Sequence, residues 1–415
     1  MKIVWHCEDR AGAAMAGPAI RAVELCRRLA AHHHVTLACP GAGELAGEPF
    51  AVHDHAPARS LRPLLDGADA LVTQGFGFPF RDLFGLPKSL RLLLDLYDPV
   101  QLELLARYGA RPSADERLHL AMVRRRLLLL LGRADHVLCA SQRQRAFWLG
   151  WLGASGRLTP ESLVDDPAAT SLLAIVPFGI STDEAASRQP PAASPRILWW
   201  GGLWDWMDPL TPIRALDVLR RRGIDATLVL PAANRPGAEP MQAALDAERE
   251  ARARGLWGSG VEQLAEWVPM RERAAVLASA SVAVSCHRPG LEAELAFRTR
   301  LLDCVWAGLP VVATAGDDLS ARAAAEGWAL TVPPGDSDAL ASALARLLDP
   351  AGNAAAREAA ARARAAYAWD VAPIEALLGR PAPRRSRGLF PELSGGDPGR
   401  LARALASKLL HRLTP

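Results

Sequence analysis

Acidic and basic side chains alternate in one short stretch of the last third of the chain. Glu292, Glu294, Arg298, Arg300 and Asp303 fall within twelve residues. On a helix, Arg300 and Asp303 share a face because they are three positions apart. A guanidinium binds a diphosphate through paired hydrogen bonds, and a carboxylate accepts hydrogen bonds from sugar hydroxyls. The stretch therefore predicts a nucleotide site, with a surface network of ion pairs as the simpler alternative.

Two more acids follow an apolar run in the first third of the chain. Asp95 and Asp98 come at the end of Leu92–Leu96, which predicts a strand. They either face a sugar or an acceptor, or they form a charged loop in which Asp98 caps a helix. Asp336 and Asp338 form an Asp-x-Asp sequence, but they begin a predicted helix and are interpreted as capping residues. We expect no metal and no other cofactor.

Alternating strands and helices must position these side chains. Short apolar runs predict strands, and they alternate with stretches of helical spacing such as 297–307. The predicted strands are 3–5, 35–38, 70–73, 92–96, 136–139, 174–176, 196–200, 226–230, 281–285, 310–314 and 329–332. This order predicts an α/β protein with two doubly wound, Rossmann-like domains, 1–190 and 195–378, joined by a Pro-rich segment at 187–195. Ligands of such sheets bind beyond the carboxyl ends of the strands, so a site is expected in the cleft between the domains.

Composition excludes several classes of protein. The chain has 415 residues, a formal charge of +3 and six well-separated cysteines. A net charge this close to zero is unlike that of a nucleic-acid-binding protein. No apolar run is long enough to cross a bilayer. From Arg380 onwards there are eight basic and two acidic residues. We therefore assign 379–415 to a basic tail, whose residues 399–413 predict an amphipathic helix that either contacts an anionic membrane or packs on the first domain.

The stretch around Asp303 resembles the donor-binding core of family 4 glycosyltransferases, which have the two-domain GT-B fold. That core has two Glu residues separated by seven positions, followed by Ala-x-Ala-x-Gly-x-Pro-Val-Val. Here Asp303 stands for the second Glu, and Gly308, Pro310, Val311 and Val312 follow it. The resemblance assigns Asp303 to the ribose hydroxyls and Glu294 to the transferred sugar, as the catalytic residue. Eight residues rather than seven separate Glu294 from Asp303, so Glu292 is the alternative.

Other segments extend the resemblance over residues 1–380. The loop at Gly17 resembles the first glycine loop of the family, on the acceptor or sugar side with Asp95 and Asp98. Gly201 and Gly202 resemble the start of the donor domain. Trp267 lies where the family binds the base, although plain packing explains it equally well.

This chain departs from the family at the phosphate site. Leu203 and Asp208 stand where the family carries Arg and Lys. We infer that Arg298 or Arg300 supplies the missing charge. The amides of 295–297, including those of Leu295 and Ala296, are expected to bind the diphosphate at the start of the predicted helix.

The resemblance implies a glycosyltransferase that moves a sugar from a nucleotide-diphosphate sugar to a glycan, lipid or small-molecule acceptor with retention. Envelope polysaccharide or glycolipid assembly is the expected role. The expected location is the cytoplasm, with possible peripheral contact at the inner face of the membrane. The alternatives are a non-catalytic nucleotide-sugar-binding or membrane-recruited GT-B protein and, with less support, a nucleotide-sugar epimerase. Nucleic acid is not an expected partner.

Overall fold

Two parallel β-sheets, each flanked by helices, make up the protein. The computed structural model describes residues 1–57, 59–74, 78–83, 85–87, 89–180, 194–234 and 239–380. The predicted tail helix at 399–413 and most of the Pro-rich segment lie outside the described residues. Among the described residues, no helix has the length and apolar character that a membrane span requires.

The first sheet has seven strands in the order β3-β2-β1-β4-β5-β6-β7, and all its pairs are parallel. Its strands are β1 Lys2–His6, β2 His34–Cys39, β3 Ala51–Asp54, β4 Ala70–Gln74, β5 Arg91–Asp95, β6 His136–Cys139 and β7 Leu173–Ile175. The helices between them are α1 Gly17–Leu29, α2 Phe80–Leu83, α3 Val100–Tyr108, α4 Ala114–Arg133, α5 Gln142–Ala154 and α6 Pro160–Asp165.

The second sheet has six parallel strands in the order β10-β9-β8-β11-β12-β13. Its strands are β8 Arg196–Trp199, β9 Thr227–Leu230, β10 Val261–Gln263, β11 Val282–Ser285, β12 Val311–Thr314 and β13 Ala329–Val332. The helices are α7 Leu210–Arg221, α8 Gln242–Ala253, α9 Arg273–Ala278, α10 Leu291–Leu295, α11 Arg300–Trp306, α12 Asp318–Ala325, α13 Ser337–Leu348, α14 Pro350–Ala363 and α15 Ala372–Gly379. The predicted fold class, two doubly wound α/β domains, is confirmed.

Local sequence explains where these elements begin. Central strands such as β6, β11 and β12 are fully buried apolar runs, as expected for parallel strands covered on both faces. Helix α4 begins with a capping box, in which Ser113 and Glu116 satisfy each other's backbone amides. Asp336 accepts a hydrogen bond from the Ala339 amide, so its predicted capping role at α13 is confirmed.

Both strands that the sequence patterns missed, β3 and β10, lie at a sheet edge. All four residues of β3 are exposed, and only Val261 of β10 is buried. An edge strand has one neighbour and little buried surface, so it leaves no apolar run in the sequence.

The predicted helix at 297–307 is wrong at its start. A short helix, α10, precedes it, and α11 begins only at Arg300. A turn links them, in which the Thr299 amide donates to the Phe297 carbonyl. Glu294 therefore lies within α10 rather than in a loop before the main helix.

The last described helix returns to the first domain. Helix α15 packs against β7, and a backbone bridge joins Ile180 to Ala368 just before it. Glu375 of α15 also lies 2.8 Å from the imidazole of His32. Residues up to 378 thus complete the first domain as well as the second.

Candidate active site

A cavity of about 450 Å³ lies between the two domains. Its second-domain wall follows the carboxyl ends of β8, β9 and β10 and includes the first turn of α11, which is where ligands of doubly wound sheets bind. Its first-domain wall is formed by the loop at Met15–Gly17, by one face of α1 and by residues 178–180. The predicted residues Gly17, Gly201, Gly202, Trp267, Arg300 and Asp303 all line it.

Hydrogen bonds and an ion pair join the two domains. The Met270 amide donates to the Ala13 carbonyl at 3.0 Å, beside the glycine loop. The Gln144 side chain donates to the Leu295 carbonyl at 2.9 Å. Arg143 and Asp318 form an ion pair at 2.8 Å. A ligand in the cavity is therefore within reach of groups from both domains.

Asp303 accepts hydrogen bonds from two neighbours, one of which is charged. The Trp200 indole donates to its Oδ2 at 2.8 Å, and the Arg273 Nη1 donates to its Oδ1 at 3.3 Å. Burial raises the pKa of Asp303, and Arg273 and Trp200 act in the opposite direction. Each carboxylate oxygen can accept more than one hydrogen bond, so both oxygens retain acceptor capacity toward the cavity.

Arg300 presents an uncompensated positive charge at the cavity wall. Its Nη2 donates to the Gly202 carbonyl at 3.2 Å and lies 3.0 Å from the Met207 sulfur. Burial, followed by the nearby Arg298 charge, lowers the pKa of Arg300 to about 10, so it stays protonated at neutral pH. Among the described residues, no carboxylate lies within 4 Å of its guanidinium. An anion in the cavity would satisfy this charge.

Arg298, two residues earlier, has a different environment. Its Nε lies 2.8 Å from Asp317 Oδ2, and both side chains are almost completely buried. Its Nη1 also donates to the carbonyl and hydroxyl of Thr314. These bonds tie the turn before α11 to the end of β12 and the start of α12. Arg298 does not line the cavity, and its guanidinium supports the turn that carries Arg300.

Three carboxyl groups meet where α3 of the first domain packs against α10 of the second. Glu292 is buried, and burial together with Asp98 raises its pKa to about 8. Asp98 is hydrogen-bonded to Glu103, and burial raises the pKa of both groups, with the Asp98 charge adding to the shift at Glu103. Like charges this close do not all ionise, so the cluster retains protons at neutral pH.

The fold and the second domain match known proteins. A family model described as glycosyl transferases group 1 matches residues 194–350. Sucrose-phosphate synthase from Thermosynechococcus elongatus aligns over 91% of this chain and 96% of its own, at 18% identity and a TM-score of 0.61. WaaG, a glycosyltransferase involved in lipopolysaccharide biosynthesis, aligns over 90% and 98%, at 17% identity and 0.62. Anabaena Alr3699/HepE, solved with UDP-glucose, aligns over 91% and 98%, at 14% identity and 0.63.

The chain has the GT-B fold. The predicted resemblance to GT-B glycosyltransferases is thereby confirmed, at low sequence identity. A search of curated protein sequences finds no match.

Within this GT-B fold, residues 292–298 are not part of the cavity wall, although Arg300 and Asp303 are. Glu294 is exposed on α10, whereas Glu292 is buried on the same helix. The Ala296 amide donates to the Glu292 carbonyl at 2.7 Å, and the Leu295 carbonyl accepts from Gln144. The Ala296 amide is therefore engaged within the end of α10.

Asp95 and Asp98 separate in the GT-B fold. Asp95 is fully buried and forms a bidentate ion pair with Arg21, with its shortest distances at 2.8 Å. It joins β5 to α1 inside the first domain, where Arg21 engages both oxygens of its carboxylate. Asp98 remains at the junction of the domains, beside Glu292.

Gly201 and Gly202, which follow β8, let the backbone pass close to the Arg300 guanidinium. Gly201 has a φ of 80°, which side chains larger than hydrogen disfavour, and an added Cβ would lie 3.7 Å from the Arg300 guanidinium carbon. The Trp204 and Trp206 rings stack at 5.9 Å, and Trp204 lines the cavity. Asp208 accepts hydrogen bonds from the Leu210 and Thr211 amides, so its predicted capping role is confirmed.

Sequence reasoning missed Arg273. This residue begins α9, lines the cavity and is only 17% exposed at its side chain. Its guanidinium carbon lies 4.3 Å from the center of the Trp306 ring, and its Nη1 contacts Asp303. No motif places it there, because Arg273 and Asp303 are 30 positions apart in the chain. The nearest signal was its position shortly after Trp267, which itself lines the cavity.

Proposed function

We propose that this protein is a glycosyltransferase, of the family 4 type, that transfers a sugar from a nucleotide-diphosphate sugar to an acceptor. One observation carries the proposal. Arg300 and Asp303 lie on one face of α11 and line a cavity that the glycine loop of the first domain also lines. A cation beside a hydroxyl-binding acid matches the diphosphate and ribose of a nucleotide.

Each group then has a role in donor binding. Asp303 accepts hydrogen bonds from the ribose hydroxyls, and Trp267 contacts the base. Arg300 and Arg273 bind the diphosphate, in place of the cations absent at Leu203 and Asp208. As the sugar departs, negative charge develops on the nucleotide, and fixed guanidinium groups stabilise that charge. Two arginines supply this charge, so we propose that no metal is required.

Of the two acids that the resemblance offers for contact with the transferred sugar, we propose Glu292 rather than Glu294. Glu292 is buried and interacts electrostatically with Arg300 and with Asp98 of the first domain. Glu294 is exposed on the opposite side of α10. A protonated Glu292 donates a hydrogen bond to a sugar hydroxyl without adding charge beside the diphosphate. We also propose that the sugar is transferred with retention of its anomeric configuration.

The acceptor is proposed to be a glycan or a lipid-linked saccharide in envelope polysaccharide or glycolipid assembly, on the cytoplasmic side of the membrane. The similarity to WaaG, involved in lipopolysaccharide biosynthesis, supports this class of acceptor. The similarity to Alr3699/HepE in complex with UDP-glucose supports a UDP-sugar as the first donor to test.

A thermal-shift panel of nucleoside diphosphates and their sugars tests the proposal. A cognate ligand at 100 times its Kd stabilises the folded protein by about 2.7 kcal/mol, whereas nucleosides without phosphate have a smaller effect. If no nucleotide raises the melting temperature, the proposal fails. A ligand that binds but releases no nucleoside diphosphate with any acceptor supports the non-catalytic alternative, for which Leu203 and Asp208 are the motivating residues.

A further inference from the structure

One buried side chain of the first domain forms hydrogen bonds to both domains. Gln144, in the first turn of α5, has no exposed surface. Its Nε2 donates to the Tyr97 carbonyl of the first domain at 2.7 Å and to the Leu295 carbonyl of the second domain at 2.9 Å. A glutamine amide nitrogen has two N–H groups, and these two carbonyls use both. Gln144 therefore ties the end of α10 to the first domain.

The first domain fixes the orientation of this amide. The Ala140 backbone N–H, just after β6, donates to Gln144 Oε1 at 2.8 Å. A backbone N–H can only donate, so the amide oxygen faces Ala140 and the amide nitrogen faces the two carbonyls. Leu295 is the last residue of α10, and the carbonyls at the end of a helix have no partner within it. Gln144 supplies that partner from the other domain.

The two carbonyls that Gln144 binds lie beside two acids of the domain junction. Tyr97 directly precedes Asp98, and Leu295 lies one turn after Glu292 on α10. Burial, followed by the Asp98 charge, raises the pKa of Glu292 to about 8, so these two acids interact. Helix α10 packs against both α3 and α5 at this junction. The amide of Gln144 thus links the backbone next to one acid with the backbone next to the other.

The residue before Gln144 makes a weaker contact between the domains. Arg143 Nε lies 2.8 Å from a carboxylate oxygen of Asp318, the first residue of α12, and the Arg143 backbone N–H donates to the same carboxylate at 3.3 Å. Both side chains are partly exposed, and exposed ion pairs contribute little to stability. Loss of the Gln144 amide leaves buried carbonyls without a partner, which costs more. Gln144 is therefore the stronger of the two links.

We propose that Gln144 is a positioning residue for Glu292. It holds α10 against the first domain, so that the Glu292 carboxyl group keeps its position relative to Asp98. The inference rests on the proposed function, in which this carboxyl group contacts the transferred sugar. The diphosphate site is independent of Gln144, because Arg300 is held within the second domain through the Gly202 carbonyl.

A cycle of variants tests the position of Glu292 without any nucleotide. The charges that act on Glu292 are Asp98 and Glu103 of the first domain and Arg298, Arg300 and Asp317 of the second. In the wild-type background, Glu292→Gln should raise the melting temperature at about pH 9 and leave it unchanged near pH 4, because burial disfavours the ionised carboxyl group. Gln144→Met removes the donor to Leu295, so α10 separates from α3 and water reaches Glu292. The gain from Glu292→Gln at about pH 9 should then fall by about half or more.

Turnover of UDP-glucose, the first donor to test, is the second measurement. Gln144→Met should lower kcat for the release of UDP by at least about five-fold. The Kd of UDP, measured by isothermal titration calorimetry, should change by less than about two-fold. A loss of kcat at unchanged Kd distinguishes a displaced acid from a general loss of structure. Gln144→Ala, which leaves room for water to satisfy the two carbonyls, replaces Gln144→Met if that variant folds poorly.

Two neighbours in the same turn of α5 provide matched controls. Gln142→Met changes an exposed glutamine and should behave like the wild type in both measurements. Ser141→Ala removes the cap of α5, so it should lower the melting temperature. It should change neither kcat nor the gain from Glu292→Gln, because the Gln144 amide remains in place.

The inference is wrong if Glu292→Gln gives the same gain in the wild-type and Gln144→Met backgrounds. It is also wrong if Ser141→Ala reduces that gain as much as Gln144→Met does, since the role of Gln144 would then be purely structural. A Kd of UDP that rises as much as kcat falls would place Gln144 at the diphosphate and overturn it too. The cycle uses no nucleotide, so its result stands even if the proposed function fails.

Discussion

Replacing Arg300 by Gln should remove diphosphate affinity while leaving the fold intact. The wild-type guanidinium lines the cavity, makes only a carbonyl and a sulfur contact, and has no carboxylate within 4 Å among the described residues. Burial lowers the pKa of Arg300 to about 10, so the free protein carries this charge at an energetic cost. Glutamine is neutral and shorter, and it removes that cost.

The magnitude follows from the contact that the diphosphate would make. A hydrogen bond to a charged group contributes about 1.5–3 kcal/mol, so Arg300→Gln should weaken nucleoside diphosphate binding by about 10- to 150-fold. Binding of the nucleoside alone should change by less than about three-fold, because the ribose and base contact other residues. Isothermal titration calorimetry with the nucleoside diphosphate and with the nucleoside measures both changes in affinity.

Arg298→Gln is the matched control, two residues earlier in the same turn. It leaves Asp317 buried without its partner, which costs about 3–5 kcal/mol and should lower the melting temperature by about 5–15 °C. The folded fraction should still bind the diphosphate. If Arg300→Gln binds it like the wild type, or if Arg298→Gln keeps its stability and loses diphosphate binding, the assignment of the two arginines is refuted.

Further predictions concern the acids. Glu292→Gln should be more stable than the wild type at pH 8–9 by about 1–3 kcal/mol and equal to it near pH 4. Burial raises the pKa of Glu292 to about 8, so the folded wild type loses stability as pH rises from about 4.5 to about 8. If the melting temperatures of Glu292→Gln and the wild type changed in parallel with pH, this reasoning would be contradicted. Asp95→Asn should destabilise the first domain by about 3–5 kcal/mol in urea unfolding, because it breaks the buried ion pair with Arg21. The folded variant should bind the nucleotide with unchanged affinity. A variant that kept its stability but lost nucleotide affinity would show that Asp95 contacts the ligand. Gly201→Ala should cost about 1–2 kcal/mol in thermal melting because of its positive φ. It should leave diphosphate binding nearly unchanged in titration, because the added Cβ lies 3.7 Å from the Arg300 guanidinium carbon, an ordinary van der Waals contact.

Most of the fold could be predicted from the sequence because buried parallel strands are continuous apolar runs. Residues 136–139 predict a strand with the observed bounds of β6. The edge strands β3 and β10 could not be found this way, because their exposed residues carry no such pattern. The break between α10 and α11 was missed because the whole stretch has helical spacing, and the turn at Thr299 depends on contacts with neighbouring elements.

The candidate site could be predicted only where the chain itself brings residues together. Arg300 and Asp303 share one turn of α11, so their common face follows from spacing alone. Arg298 is equally close in sequence, but it pairs with Asp317, the cap of α12, and does not line the cavity. The choice between Glu292 and Glu294 depends on which side of α10 packs against α3, and Arg273 reaches Asp303 from another helix. These contacts depend on tertiary packing, so they leave no pattern in the local sequence.

The most direct test of the proposed function is turnover of the nucleotide sugar that the thermal-shift panel selects. Purified protein is incubated with this donor and a membrane or saccharide acceptor fraction, and the products are followed by NMR. We predict release of the nucleoside diphosphate and transfer of the sugar with its anomeric configuration retained, both strongly reduced by Arg300→Gln. A donor that binds in the cavity but releases no nucleoside diphosphate with any acceptor would contradict a transferase.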